Sequence, residues 1–346
     1  MTQSLLRTTQ LAPLIEFLAG RMKVVGPVPL GNGQYKFAEV SSLAQLSLDS
    51  IPTILPPKKY FIPQHETLLH YDVANGQQMQ AVVEVEELLL FGVRTCDLAG
   101  IQCLNMVFSD RPKDLHYLLR KQHIGLIGLE CSRYCDAFAN CAMLGTQLPK
   151  GGYDLFLSQL KDGYFVDINT AKGERIVAES GLFEPVTAAA EKQLRALRKA
   201  KRQSFKSELP IRPQEIPRLF DDRFDSDLWQ QLGEKCLSCG NCTNVCPTCY
   251  CFDVRDEPEL DLSKGRRIRV WDSCQHESFA KVAGGESFRK ERAARQRHRF
   301  NRKYSYPMAR YKRLFCTGCG RCSRSCMAQI AIKETLAALL EELSPQ

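Results

Sequence analysis

The chain has 346 residues, 44% hydrophobic and 25% charged, with 16 cysteines and a formal net charge of +8. That length gives room for two or three domains with their own cores and excludes a small disulfide scaffold. The longest apolar run, "AVVEVEELLLFGV" from Ala81, is broken by Glu84, Glu86 and Glu87, well short of the roughly eighteen apolar residues of a membrane span.

In chain order, "MTQSLLRTTQLAPLIEFLAG" lacks a clean apolar core and carries Glu16, so it reads as the first amphipathic helix of a cytoplasmic protein and not as a signal peptide. "MKVVGPV", "ELLLFGV" and "HIGLIGLE" read as strands, and "GNGQYKF" from Gly31 as a turn, since no phosphate-cradling βαβ unit accompanies it. "YDLFLSQLKDGYFVDI" reads as a hairpin around Lys161, Asp162 and Gly163, and "AAAEKQLRALRKAKRQSFK" as a basic helix. Pro210, Pro213 and Pro217 then break regular structure and mark a domain boundary near residue 210. The expected fold is α+β: a mixed α/β domain over 1–210, then a mainly helical domain over 211–346 that closes with the helix "AIKETLAALLEEL".

The cysteines are clustered, and in a reducing compartment clustered thiols point to metal. Cys236, Cys239, Cys242 and Cys246 follow C-x2-C-x2-C-x3-C, with Pro247 next, and Cys316, Cys319, Cys322 and Cys326 repeat that spacing with Met327 in place of the proline. Three thiolates so spaced wrap one face of a cubane, and in two-cluster ferredoxins the fourth ligates the other cluster. One [4Fe–4S] cluster is therefore expected on Cys236, Cys239, Cys242 and Cys326, and a second on Cys316, Cys319, Cys322 and Cys246. Gly240 and Gly320 follow the second cysteine of each motif, letting the backbone approach the cluster. Zinc sites pair two C-x2-C units or add histidines, which leaves half of these thiols unexplained. Residues 247–315, with "HESFAKVAGGESFRKERAARQRHRFNRKY", make the spacer long and favour a helical dicluster ferredoxin.

"CLSCGNCTNVCPTCYCFDVRDE", "RVWDSCQHESFAKVAGGESFRKERAARQRHRFNRKY" and "CTGCGRCSRSC" together resemble the iron–sulfur beta subunit of cytoplasmic NiFe hydrogenases (sulfhydrogenases) and the related A subunit of anaerobic sulfite reductase. "FGVRTCDLAGI" and "GLECSRYCDAFANCAMLGT" look like the same family's upstream motifs, so the resemblance runs from about Phe91 onward. It implies an electron-transfer subunit set between a flavin-containing, NAD(P)H-oxidising partner and a catalytic partner, either a NiFe hydrogenase or a sulfite reductase module.

Cys96 lies at a strand-to-helix turn, where the helix N-terminal field favours a thiolate, and Cys131 follows the next strand. If those strands are neighbours, Cys96, Cys131, Cys135 and Cys141 converge at one sheet edge and hold a third [4Fe–4S] cluster; the alternative is structural thiols. Cys135 falls earlier than the family pattern places its cysteine. Cys103, among Ile101, Leu104 and Val107, reads as a small buried hydrophobe. Arg94 and Asp97 are expected to orient the Cys96 loop.

Cys249, Cys251 and Cys274 remain over: packed thiols beside the clusters, a further ligand set, or a group that tunes the nearest cluster. The basic run Arg289–Lys303 reads as a solvated helix face, with offset of anionic cluster charge as its second use; it lacks the interleaved aromatics of a nucleic-acid surface. No catalytic residue, no flavin or nicotinamide site and no NiFe cysteine pairs stand out. The expected function is an electron relay. Its rival is a reductase that acts directly on a sulfur substrate through Cys249, Cys251 and Cys274.

Overall fold

The computed structural model describes residues 2–74, 78–207 and 209–342. Its strands are β1 (Thr2–Arg7), β2 (Lys23–Gly31), β3 (Gln34–Glu39), β4 (His65–Asp72), β5 (Gln78–Ala81) and β6 (Leu88–Arg94), then β7 (Ile124–Leu129), β8 (Leu155–Gln159), β9 (Gly163–Ile168), β10 (Phe183–Glu184), β11 (Phe252–Pro258) and β12 (Lys264–Trp271). Eight of them form one sheet in the order β10-β1-β9-β8-β7-β6-β2-β3. Its centre is parallel, β2 with β6, β6 with β7 and β7 with β8, while the flanking pairs are antiparallel.

The central strands explain themselves. "LLLFGVR" of β6 is buried throughout, as a parallel strand covered on both faces must be. Alternation then sends Leu89 and Phe91 into one core, with Leu14, Ile15 and Leu18 of the helix Leu11–Ala19, and Leu88 and Leu90 into the other, with Leu98, Ile101 and Leu104 of the helix Thr95–Phe108.

The expected single N-terminal helix divides into β1 and the helix Leu11–Ala19. Leu6 is buried against the sheet because β1 pairs with β9 along its whole length. The hairpin around Asp162 is β8 and β9, and the basic helix runs Ala188–Ser204, capped by Thr187. The proline-rich stretch still leads into a helix, Ile216–Asp222, since Pro217 sits in the first turn where no backbone donor is needed.

The C-terminal part is helical around a core of Phe220, Trp229, Phe300 and Tyr304, in which the Phe220 and Tyr304 rings stack at 4.9 Å. Its spacer carries a β-hairpin as well as the helix Arg292–Tyr304. That hairpin joins a four-stranded sheet, β11-β12-β4-β5, tying segments on both sides of residue 210. A buried ion cluster secures the seam: Glu66 of β4 accepts from Arg269 Nε of β12 (2.7 Å) and from Arg120 (2.8 Å), and Arg269 also binds Asp114.

Candidate metal centre

The twin cysteine motifs adopt the same backbone. Gly240 (φ +76°) and Gly320 (φ +72°) each take the left-handed conformation that starts a four-residue helix, Asn241–Asn244 and Arg321–Arg324. The turns close alike, Thr243 N to Gly240 O at 3.0 Å and Ser323 N to Gly320 O at 3.1 Å. Backbone amides point at the sulfurs: Ser238 N donates to Cys236 Sγ and Ile330 N to Cys326 Sγ, both at 3.3 Å.

The fold brings Cys246, with Cys242 and Cys249, into one cavity with Cys316, Cys319 and Cys322 of the other motif. Cys242 lies within electrostatic reach of Cys236 and Cys326. Cys239, at the exposed end of its loop, completes that motif. In the N-terminal region β6 and β7 are adjacent, as the convergence of their cysteines requires. Cys96 opens the helix Thr95–Phe108 at the carboxyl end of β6, Cys131 follows β7, and Cys135 and Cys141 interact with Cys131 across the same edge. Open α/β sheets bind their ligands at such strand ends.

These three groups stand in a row. Cys242 of the first neighbours Cys322 of the second, and Cys319 of the second neighbours Cys96 and Cys141 of the third. The contact between the second and third is backbone-tight: Asn140 N donates to Gly318 O at 2.9 Å. Gly318 has φ +65°, and a Cβ there would stand 2.5 Å from Cys141 N. Gly318→Ala is expected to destabilise the protein by at least about 1–2 kcal/mol from the left-handed backbone alone. A lowered denaturant midpoint checks this, and an unchanged midpoint would refute the close approach.

Buried cations are threaded between the groups. The helix Arg292–Tyr304 turns Arg295, Arg299 and Lys303, at i, i+4 and i+8, inward with Gln296. The solvated face expected first does not hold for this stripe, and the second expected use, offset of cluster charge, fits it, because the cysteines lie on its buried side. Gln296 Nε2 donates to Cys236 Sγ (2.8 Å), and Lys303 Nζ donates to Cys246 Sγ (3.2 Å), Cys249 Sγ (3.1 Å) and Thr248 Oγ1 (2.8 Å). Burial alone would lower the Lys303 ammonium, but the charges of Cys246 and Cys249 outweigh it and hold it well above its usual range. Arg321 sits between Cys319 and Cys96 and pairs with Asp97 at 2.6 Å, both 1% exposed. Arg94 fastens the Cys96 loop through the carbonyls of Ser50 (3.0 Å) and Glu130 (3.4 Å).

The chemistry of the donors fits iron–sulfur clusters. Every group is all-sulfur, which suits zinc or iron–sulfur centres. Among the described residues no three His, Cys, Asp or Glu side chains converge closely enough for a single metal ion; a cubane interposes its own atoms and keeps its thiolates farther apart. Arg299 Nη1 donates to Gln296 Oε1 (3.2 Å), leaving Nη2 buried beside Cys242, Cys322 and Cys326 without a well-formed hydrogen bond among the described residues. An anionic group on those thiols would satisfy it. Burial pushes Cys135, Cys141, Cys242 and Cys316 up to about 12, so their thiolate forms require a bound metal. The field expected to favour a Cys96 thiolate is outweighed: burial, then Asp97, raise that thiol well above its usual value.

Sequence reasoning missed Arg321, Gln296 and Lys58 as site residues, whereas Arg299 and Lys303 lie in the basic run whose second use was to offset cluster charge. Lys58 Nζ reaches Thr243 O (3.1 Å) and Cys249 O (2.9 Å) from a remote segment, with no local signal. Cys103 lies 1% exposed in the core, as expected of a small hydrophobe.

All-sulfur donor groups on twin loops, ringed by buried cations, define an iron–sulfur electron-transfer protein, and residues 235–330 match the family model of the 4Fe-4S dicluster domain. Over 326 residues, 93% of either chain, the sequence is 36% identical to the sulfhydrogenase 2 subunit beta of Pyrococcus furiosus. The chain belongs to the sulfhydrogenase beta-subunit family, as its motifs led us to expect. No solved structure matches it. Among the described residues, no helix is long and apolar enough to cross a membrane.

Proposed function

We propose that this subunit relays electrons in the cytoplasm between a flavin-containing, NAD(P)H-oxidising partner and a catalytic module, either a NiFe hydrogenase or a sulfur- or sulfite-reducing subunit. What supports this reading is the succession of thiol groups, in which cysteines of each lie within electrostatic reach of cysteines of the next. Cys236, Cys239, Cys242 and Cys326 would hold the first [4Fe–4S] cluster, Cys246, Cys316, Cys319 and Cys322 the second, and Cys96, Cys131, Cys135 and Cys141 a third. Residues 1–210 then form the domain of the third centre and 211–346 that of the twin centres, despite the hairpin that reaches across. Bound clusters supply one-electron chemistry. The chain's part is to hold the thiolates, to neutralise their charge with Arg299, Lys303 and Arg321, and to exclude water from the row.

The test uses the assembled complex. With Cys319→Ser, turnover linked to NAD(P)H is expected to fall to background, while activity of the catalytic module driven directly by a reduced viologen dye persists. Undiminished NAD(P)H-linked turnover would contradict the relay.

A further inference from the structure

Beside the second thiol group lies a pocket of 320 Å³ lined by Cys249, Cys251, Cys274, Tyr250, Arg302 and Lys303 among others. Its three cysteines belong to none of the ligand groups above. Cys249 is engaged with Lys303 and Cys246. The other two form a pair. Cys251 precedes β11 and Cys274 follows β12, and Asp272 N donates to Cys251 O at 3.0 Å, so the base of the hairpin clamps the two segments together. The side chains of Cys251 and Cys274 line the same pocket within electrostatic reach of each other.

The pair is asymmetric. Cys274 is 5% exposed, whereas Cys251 is only half-buried. The neighbouring Cys274 draws the Cys251 thiol down to about 6, and the Cys274 thiol is itself raised. An accessible, low-lying thiol backed by a protonated neighbour is the arrangement of an attacking and a resolving cysteine. Arg302, 4.8 Å from the Tyr250 ring centroid, gives the pocket positive charge beside an aromatic wall.

We propose that Cys251 and Cys274 are a redox-active dithiol that reduces a small anionic disulfide bound in this pocket. The Cys251 thiolate attacks one sulfur of the bound disulfide; that S–S bond breaks and one thiolate leaves. Cys274 gives its proton to solvent and attacks the Cys251 sulfur, expelling the second thiolate and closing the Cys251–Cys274 bond. The substrate has gained two electrons and the pair has lost two. Bound iron–sulfur groups would supply two electrons singly, which with one proton would restore the thiolate and thiol. That last step rests on the relay reading; the exchange chemistry does not.

The experiment treats the anaerobic, full-length holo-protein with dithiobis-nitrobenzoate, an anionic aromatic disulfide. A fast phase is expected to release about two thionitrobenzoate per chain, one for each exchange step, without loss of iron, and peptide mass spectrometry should find Cys251 joined to Cys274. Cys274→Ser should stop at a mixed disulfide on Cys251 and release about one, and Cys251→Ser should abolish the fast phase. Two outcomes would overturn the proposal: Cys251 and Cys274 never linked, or a metal beyond that of the iron–sulfur groups which Cys251→Ser removes. A disulfide that a phosphine opens but reduced clusters leave closed upholds the dithiol and sinks the relay reading instead.

Discussion

Arg321→Met is expected to destabilise the folded protein by about 3–5 kcal/mol, the cost of stranding a buried charge. Arg321 and Asp97 are each 1% exposed, and the guanidinium holds the carboxylate at both oxygens, 2.6 and 2.8 Å, while also binding Thr53 O at 2.6 Å. Removing the cation leaves Asp97 buried among the Cys96 and Cys319 thiols, which are themselves anionic when metal is bound. The pair as a whole is worth far less than its halves, because both charges were desolvated to form it. Arg321→Met with Asp97→Leu is therefore expected to recover most of the lost stability, measured by denaturant unfolding under anaerobic conditions. Losses in the double variant as large as in the single one would show that Arg321 acts by packing alone. The same residue joins the second thiol group to the third, so the single variant should also loosen iron at both.

Lys303→Met is expected to make the second centre harder to reduce. The ammonium stands 3.2 Å from Cys246 Sγ and 3.1 Å from Cys249 Sγ, wholly buried, and its charge favours the more negative, reduced state. At a charge separation of about 5 Å and an effective dielectric of about 20, one charge contributes roughly 3 kcal/mol. That is on the order of 100 mV for one electron. A downward shift of one reduction potential in an EPR-monitored titration, with the others nearly unmoved, is the predicted result. An unshifted spectrum would mean that Cys246 holds no cluster, or that Lys58 takes over the charge. Lys303→Met combined with Lys58→Met separates those cases, because a shift should then appear only if Cys246 holds a cluster, whereas Lys303→Arg keeps the cation and should keep the potential.

The parts of this site that were legible in the sequence are those whose signal is local. The twin motifs announce themselves because their ligands fall within single loops, and the runs that became β6 and β7 are too apolar to be anything but central strands. Adjacency of those strands was only a condition of the third centre in the sequence, and the structure meets it by pairing β6 with β7. The hairpin around Asp162 was equally local. What the sequence concealed depends on distant pairing. Arg321 and Asp97 are separated by 224 positions. The hairpin after Cys251 meets β4 from the far end of the chain, and nothing in "HETLLHYD" names its partner. The stripe Arg295, Arg299 and Lys303 reads first as solvated charge and only second as offset for clusters, since periodicity shows that the residues share a face and not what that face touches. The start of the chain was misread for a related reason: Leu5 and Leu6 suit a helix or a strand equally, and only the presence of β9 decides between them.

Iron and acid-labile sulfide per chain, measured on anaerobically purified protein together with EPR of the reduced state, test the row of three centres most directly. About twelve irons per chain are expected, four to each cubane, falling to about eight in Cys135→Ala with the twin centres intact. About eight irons in the native protein would contradict the third centre and leave Cys96, Cys131, Cys135 and Cys141 as structural thiols.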